Sequence, residues 1–180
     1  MRRELSKHLV IDACVARSAG APCATNPTSY ACGALLQNAY DICHKVVMTP
    51  RLKKEWDKHQ SRFTVAWLSW MRGRKKLVYI HLGDDAALRE AIKDAAATSR
   101  QAAEMLKDAH LVEAARATDG IIISTERLSR KLLDTAAANV PVLRQVAWLN
   151  PLDHTVEETR GWLEAGAVAD PGMRLGAPDD

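Results

Sequence analysis

Four acidic residues interrupt the apolar segments of this chain. Asp12 directly follows Leu9-Val10-Ile11. Glu55 sits three residues beyond Leu52, on a segment whose other apolar marker is Trp56. Asp108 heads the apolar positions Leu111, Val112 and Ala115, and Glu126 comes shortly after Ile121-Ile122-Ile123. A carboxylate in apolar surroundings is costly unless something compensates it. Several gathered together repel, by about 3 to 4 kcal/mol per pair at about 4–6 Å and an effective dielectric near 20. A divalent cation is the simplest remedy, and an all-oxygen ligand set suits Mg²⁺ or Mn²⁺. An ion so held polarises a phosphate and activates an attacking water, which is phosphodiester chemistry.

Each acid also has a plainer reading. Asp12 and Asp108 suit helix N-caps. Glu55 suits an exposed helix face, and Glu126 a first helical turn, where the dipole favours an acid. Asp108 carries the sharpest expectation: Leu111, Val112 and Ala115 lie at +3, +4 and +7 from it, so it should head a helix with its carboxylate on the buried face. Asp119, in Asp119-Gly120, reads as a turn residue before the strand. His110 is two residues from Asp108, on a different face, and is left out of the site.

The elements that must position these residues alternate. Strands are expected at 9–11, 46–48, 77–80 and 121–123, with a last one beginning at 140–143, where Pro141 suggests a sheet edge. Helices are expected at 29–43, from Pro50 past Trp56, at 63–71, 84–97, 99–106, 108–117, 125–138 and 155–165, with a loop over 17–28. Thr49-Pro50 is a good helix start. Strands alternating with helices predict an α/β fold, a parallel sheet of four or five strands covered on both faces. In such sheets ligands bind at the carboxyl ends of the strands, near the switch point.

The chain has 180 residues, enough for one domain with a real core. We expect that domain over 1–150, followed over 151–180 by a helix and a disordered tail from Asp170. The net charge of +3 is too small to indicate nucleic acid by itself. The basic residues concentrate between 51 and 76, however: Arg51, Lys53, Lys54, Lys58 and Arg62, then Arg72, Arg74, Lys75 and Lys76. Trp67 and Trp70 interleave with them. Arg72, Arg74 and Lys75 are therefore candidate phosphate contacts, and Ser124 a candidate hydroxyl for a phosphate or a ligated carboxylate; otherwise Trp67, Trp70 and Met71 are core and the cations a solvated face.

No apolar run is long enough to cross a membrane, and the charged N-terminus does not read as a signal peptide. A cytoplasmic protein with reduced thiols is expected. Cys14, Cys23, Cys32 and Cys43 show no C-x-x-C spacing.

Taken in order, the pieces Leu9-Val10-Ile11-Asp12, Val46-Val47-Met48-Thr49-Pro50 through Glu55, Asp108-Ala-His-Leu-Val-Glu-Ala-Ala and Ile121-Ile-Ile-Ser-Thr-Glu126 resemble the PIN-domain family of ribonucleases, over residues 8–147. The resemblance implies a three-layer α/β/α PIN-like fold. It also implies that Asp12, Glu55, Asp108 and Glu126 bind Mg²⁺ or Mn²⁺ and hydrolyse single-stranded RNA. Two departures stand out: the family usually has Asp where Glu126 is, and a small polar residue where this chain has Ala13-Cys14-Val15. The partners implied are RNA and, for the toxins among the family, an antitoxin protein. Helices over 28–43 and 52–68 offer a face for a homodimer.

Two other readings remain. One is a non-catalytic domain of the same fold that binds RNA or protein. The other is a haloacid dehalogenase-like phosphatase, which also places Asp after the first strand but lacks here its second Asp two residues on. No phosphate-loop motif is present.

Overall fold

The computed structural model describes residues 5–177; the charged N-terminal residues 1–4 and the tail residues 178–180 lie outside the described residues. The strands are β1 (His8–Ile11), β2 (Lys45–Met48), β3 (Leu77–Tyr79), β4 (Ile121–Ile123) and β5 (Ala147–Leu149). They form one all-parallel sheet in the order β3-β2-β1-β4-β5. Leu9, Val10, Ile11 and the Ile121–Ile123 run are almost wholly buried, as befits central parallel strands covered on both faces. Among the described residues there are eight α-helices: α1 (Ala13–Ser18), α2 (Pro27–Asp41), α3 (Pro50–His59), α4 (Arg62–Gly73), α5 (Ala86–Asp94), α6 (Ser99–Arg116), α7 (Arg127–Ala136) and α8 (Val156–Glu164). Helices α1, α2, α4 and α8 pack as one group, α5, α6 and α7 as another, and α3 touches both α1 and α6. The architecture is the expected α/β/α sandwich.

The order reverses at β1. From there the chain winds outward through β2 and β3, then returns to the other side of β1 as β4. The carboxyl ends of β1 and β4 therefore flank the switch point, where flanking connections diverge and leave a crevice. Asp12 and Ser124 are the first residues beyond those ends, and the Asp12 N–H still donates to Ile123 O at 2.9 Å. At the opposite end of the sheet, Asp119 accepts from the His8 N–H at 2.8 Å, and Gly120 turns into β4 with φ of 74°. A Cβ on Gly120 would stand 2.8 Å from Gln145 O, so this is a place for glycine alone.

Several elements depart from expectation. Residues 99–106 and 108–117 are not two helices but the single α6. It starts at Thr98, whose hydroxyl accepts from the Gln101 N–H. No glycine or proline stands between Leu106 and Asp108, and a run of good helix formers continues through an aspartate that could have capped. Residues 13–18 form α1, which takes in the first two residues of the expected loop. Residues 141–145 form a 3₁₀ helix, and the last strand begins later, at Ala147. The tail from Asp170 is ordered as far as it is described. Asp170 caps a short 3₁₀ turn, Arg174 bridges antiparallel to Ala147, and Leu175, buried, donates its N–H to Val146 O at 2.9 Å. This segment closes the outer edge of β5. The outer edge of β3 has no further strand among the described residues.

The apolar faces of α2 and of α3–α4 are used internally. Leu35, Leu36, Ala39, Leu52, Trp56, Trp67 and Met71 are all buried, with Trp67 Nε1 donating to Leu36 O at 2.7 Å. Most apolar residues of the helix pair expected to offer a homodimer face thus lie in the core, while Tyr30, Val65 and Trp70 stay exposed. Among the described residues, no helix is long and apolar enough to cross a membrane.

Candidate metal centre

Asp12, Glu55, Asp108 and Glu126 line one cleft of about 560 Å³. Four separate elements bring them there. Asp12 ends β1 and caps α1. Its Oδ2 accepts from the Ser124 hydroxyl at 2.7 Å and lies 2.9 Å from Cys14 Sγ. Cys14 is buried, and burial together with the neighbouring Asp12 charge pushes its thiol up to about 12. The thiol therefore stays protonated and donates to Asp12, while its sulfur accepts from the Thr125 N–H and hydroxyl at 3.3 and 3.1 Å. A cysteine thiol thus ties Asp12 to the turn after β4.

Glu55 is delivered by α3. Thr49 caps that helix, accepting from the Leu52 N–H at 3.1 Å. Trp56 then anchors it, donating from Nε1 to Ile11 O at 2.9 Å, one residue before Asp12. Arg51 stands 3.4 Å from Glu55 Oε1 and reaches across to Lys107 O at 2.9 Å, tying α3 to α6. His110 lies on the same seam. Its Nδ1 is 3.1 Å from Lys107 O and its Nε2 is 3.1 Å from Glu55 Oε2. The sequence places it on a different face from Asp108, yet it is only 5% exposed and it meets Glu55. Burial pushes its pKa down, against the opposing pull of the Glu55 charge.

Asp108 lies within α6, not at its start, so no free helix N–H supports its charge. It is buried, its Oδ2 has no hydrogen-bond partner, and desolvation raises its pKa to about 6; Ser129, fully buried on α7, opposes that shift. The expectation that Asp108 heads a helix is overturned. Glu126 occupies the N-cap position of α7 without capping through its side chain. Its N–H is taken instead by Ser124 Oγ at 3.1 Å, which leaves the carboxylate in the cleft. Ser124 has no exposed surface. It orients Asp12 and the turn before α7 and does not reach a ligand in the cleft.

The cations of the cleft are Arg17, Arg51, Lys54, Lys58 and Lys107. Arg72, Arg74 and Lys75 are not among them. They lie between the end of α4 and the start of β3, and because β3 runs parallel to β1, that start is at the end of the sheet remote from Asp12. Two of them have a local role or setting there. Arg74 stacks 4.1 Å above the Tyr40 ring, and Lys75 takes a left-handed turn with φ of 56°. The neighbouring Lys76 caps α2 through the carbonyls of Ala39, Tyr40 and Ile42. The spacing of Arg51, Lys54 and Lys58 along one helix face is the available signal for the cations that line the cleft; Lys107, next to Asp108, is another.

Compared with known proteins, the chain matches no family model, no curated protein and no solved structure. The residues themselves decide whether a cation fits. Among the described residues, no three His, Cys, Asp or Glu side chains stand close enough together to hold a metal ion between them. Mg²⁺ and Mn²⁺ do not require such a trio, since they keep several waters and are held by one or two carboxylates. The orphaned, desolvated Oδ2 of Asp108 and the nearby charges of Asp12 and Glu126 are the electrostatics that such an ion relieves.

Proposed function

We propose that the cleft is the active site of a divalent-metal-dependent endoribonuclease that hydrolyses phosphodiester bonds of single-stranded RNA in the cytoplasm. The carrying observation is the pair of buried carboxylates, Asp12 and Asp108, at the switch point of a parallel sheet, one of them with an oxygen that has no partner. Asp12 and Asp108 hold Mg²⁺ or Mn²⁺, with Glu55 and Glu126 completing the acidic ring. The ion, when bound, supplies polarisation of the scissile phosphate and a water of lowered pKa.

The chain's own residues do the rest. Ser124 and Cys14 fix the Asp12 carboxylate through Oδ2, and the Cys14 N–H donates to its Oδ1. Arg17, Lys54 and Lys58 attract the phosphates on either side of the scissile one. A ring of acids inside a rim of cations suits a polyanion that must approach but touch the centre only through metal. The resemblance to PIN-domain ribonucleases supports the same reading and extends it to an antitoxin as a protein partner.

Two measurements test it. Calorimetric titration of the metal-free protein with Mn²⁺ should show binding that Asp12→Asn and Asp108→Asn each abolish or weaken by about an order of magnitude. Cleavage of a 5′-labelled unstructured RNA should need Mn²⁺ or Mg²⁺ and stop with either substitution. Cleavage that persists in EDTA, or that survives both substitutions, overturns the proposal; RNA and Mn²⁺ binding without cleavage points to a non-catalytic binding domain.

A further inference from the structure

The pocket beside the acidic cleft holds two buried donors with nothing to donate to. About 300 Å³ in volume, it lies beyond β4 and β5 and shares Glu126 with the cleft. Trp148 of β5 and Asn150, the residue that follows that strand, line it and are only 1% and 2% exposed. Among the described residues neither Trp148 Nε1 nor Asn150 Nδ2 has a hydrogen-bond partner. The indoles of Trp56, Trp67 and Trp162, by contrast, donate to the carbonyls of Ile11, Leu36 and Val168 at 2.9, 2.7 and 2.8 Å. The Asn150 amide has a fixed sense as well. Its Oδ1 accepts from the Leu152 N–H at 3.0 Å, so Nδ2 with its two hydrogens is the atom left over.

Unsatisfied buried donors are destabilising, and native structures keep few of them. Two in one pocket make it a place for an acceptor, and a neutral one. Arg127 pairs with Asp153, and Arg130 Nε stands 3.7 Å from Asp134 Oδ2. Lys131 and Glu126 complete a lining of three cations and three acids, so its charge does not select an anion. The volume is at the lower end for small-ligand pockets, about 300–1,000 Å³, and suits a single planar base. Single-stranded RNA is read in this way, by bases turned out of the strand and hydrogen-bonded on their edges. Uracil and guanine present a carbonyl where cytosine and adenine present an amino group. An amino group here would set donor against donor.

We propose that this pocket receives a keto base, uracil or guanine, from a nucleotide beside the scissile phosphate, its carbonyl oxygen accepting from Trp148 Nε1 and Asn150 Nδ2. A carbonyl oxygen has two lone pairs, one for each donor. The proposal rests on RNA being the substrate of the adjoining cleft and adds base selectivity to that reading. Neither nitrogen is open to water, so the base reaches them by displacing rim side chains, among which Arg127 and Lys131 are long and exposed.

Fluorescence anisotropy of labelled hexacytidylate, and of the same hexamer with one central U, G or A, tests this on the full chain in EDTA, where metal-dependent hydrolysis cannot proceed. The backbones are identical, so phosphate contacts cancel. U, G or both should tighten binding about tenfold over C and A, as one well-made base contact does, and the tighter of the two names the base. Asn150→Asp keeps the acceptor for the Leu152 N–H and puts a second acceptor where Nδ2 stood, so it should reverse the order in favour of C and A. The indole N–H resonance of Trp148, identified by its loss in Trp148→Phe, should shift downfield when the preferred hexamer binds the wild type. The wild-type affinities need no variant, so a misfolded one does not shield the proposal. Equal affinity for all four hexamers, a gain from A as large as from U or G, an order unchanged in Asn150→Asp, or a stationary Trp148 resonance overturns the base pocket and leaves the metal-dependent reading standing. A base preference without Mn²⁺-dependent cleavage keeps the pocket and overturns that reading instead. No binding of any hexamer overturns the pocket, and the cleavage assay still decides the nuclease.

Discussion

Replacing Asp108 by asparagine should make the metal-free protein more stable, and more so the higher the pH. The folded-state pKa of Asp108 is about 6, against an ordinary value of 3.8, because burial penalises its charge. The folded state therefore binds this proton more tightly than the unfolded chain does. Its contribution is fully present below about pH 4, is lost as pH rises through about 6, and is level above that. Burying the ionised form costs about 3 kcal/mol at pH 8, since raising the pKa from 3.8 to about 6 is worth about 1.36 kcal/mol for each tenfold gain in proton affinity. Asparagine has nothing to ionise. Whatever its amide costs beside Ser129 is independent of pH, so the stability difference between variant and wild type should widen by about 2 kcal/mol between pH 4.5 and pH 8. For a chain of this size the full effect at pH 8 is a rise in Tm of about 6–12 °C. Urea unfolding in EDTA at the two pH values measures it. Saturating Mn²⁺ should then largely close the gap, because the wild type gains about 2.7 kcal/mol from ion at 100 times Kd and the weaker-binding variant gains less. A difference that does not depend on pH, or a destabilised Asp108→Asn at pH 8, would refute the assignment of Asp108 as a desolvated, unpartnered carboxylate.

Three further outcomes separate the site from its surroundings. Ser124→Ala removes the hydrogen bond to Asp12 and the acceptor for the Glu126 N–H, and should cost about 1–3 kcal/mol in urea unfolding while weakening Mn²⁺ binding; unchanged metal affinity would detach Ser124 from the centre. The triple variant Arg17→Ala, Lys54→Ala, Lys58→Ala should lower the salt dependence of RNA binding by about 0.7 log units for each phosphate that is no longer neutralised, whereas Arg72→Ala, Arg74→Ala, Lys75→Ala should leave it unchanged. Equal effects in filter binding across a salt series would put the RNA path elsewhere. Leu175→Ala should destabilise the fold by about 2–5 kcal/mol, where a disordered tail would give none.

What is legible in the sequence is what local signals determine. Leu9-Val10-Ile11 and the Ile121–Ile123 run are apolar on both faces, which only a central strand of a covered sheet accommodates, and Thr49-Pro50 marks a helix start by chemistry alone. From those two strands and that helix, three of the four acids can be gathered at one end of the sheet. Asp108 is placed correctly in space for a mistaken reason. Its side of α6 follows from the +3, +4, +7 spacing, but its supposed capping role is a local preference that the longer helix overrides. The Arg72, Arg74 and Lys75 cluster lies away from the acids for a different cause. Proximity to Glu55 in sequence says nothing of the end of the sheet to which α4 returns the chain. His110 and Cys14 escape a sequence reading because each acts through a neighbouring side chain whose approach depends on the tertiary fold. The tail is misjudged because Pro, Gly and Asp disfavour regular structure without preventing a two-bond clasp on an edge strand.

That clasp has a consequence for association. With Arg174 and Leu175 seated against β5, the sheet has, among the described residues, a single free border, along β3. A body with one such border can join one neighbour and is then finished, so pairing through backbone hydrogen bonds ends at two molecules. Removing the residues beyond Asp170 would give each molecule two borders, and head-to-tail growth would no longer have a natural end. By this reasoning the last few described residues would limit such pairing as well as brace the core.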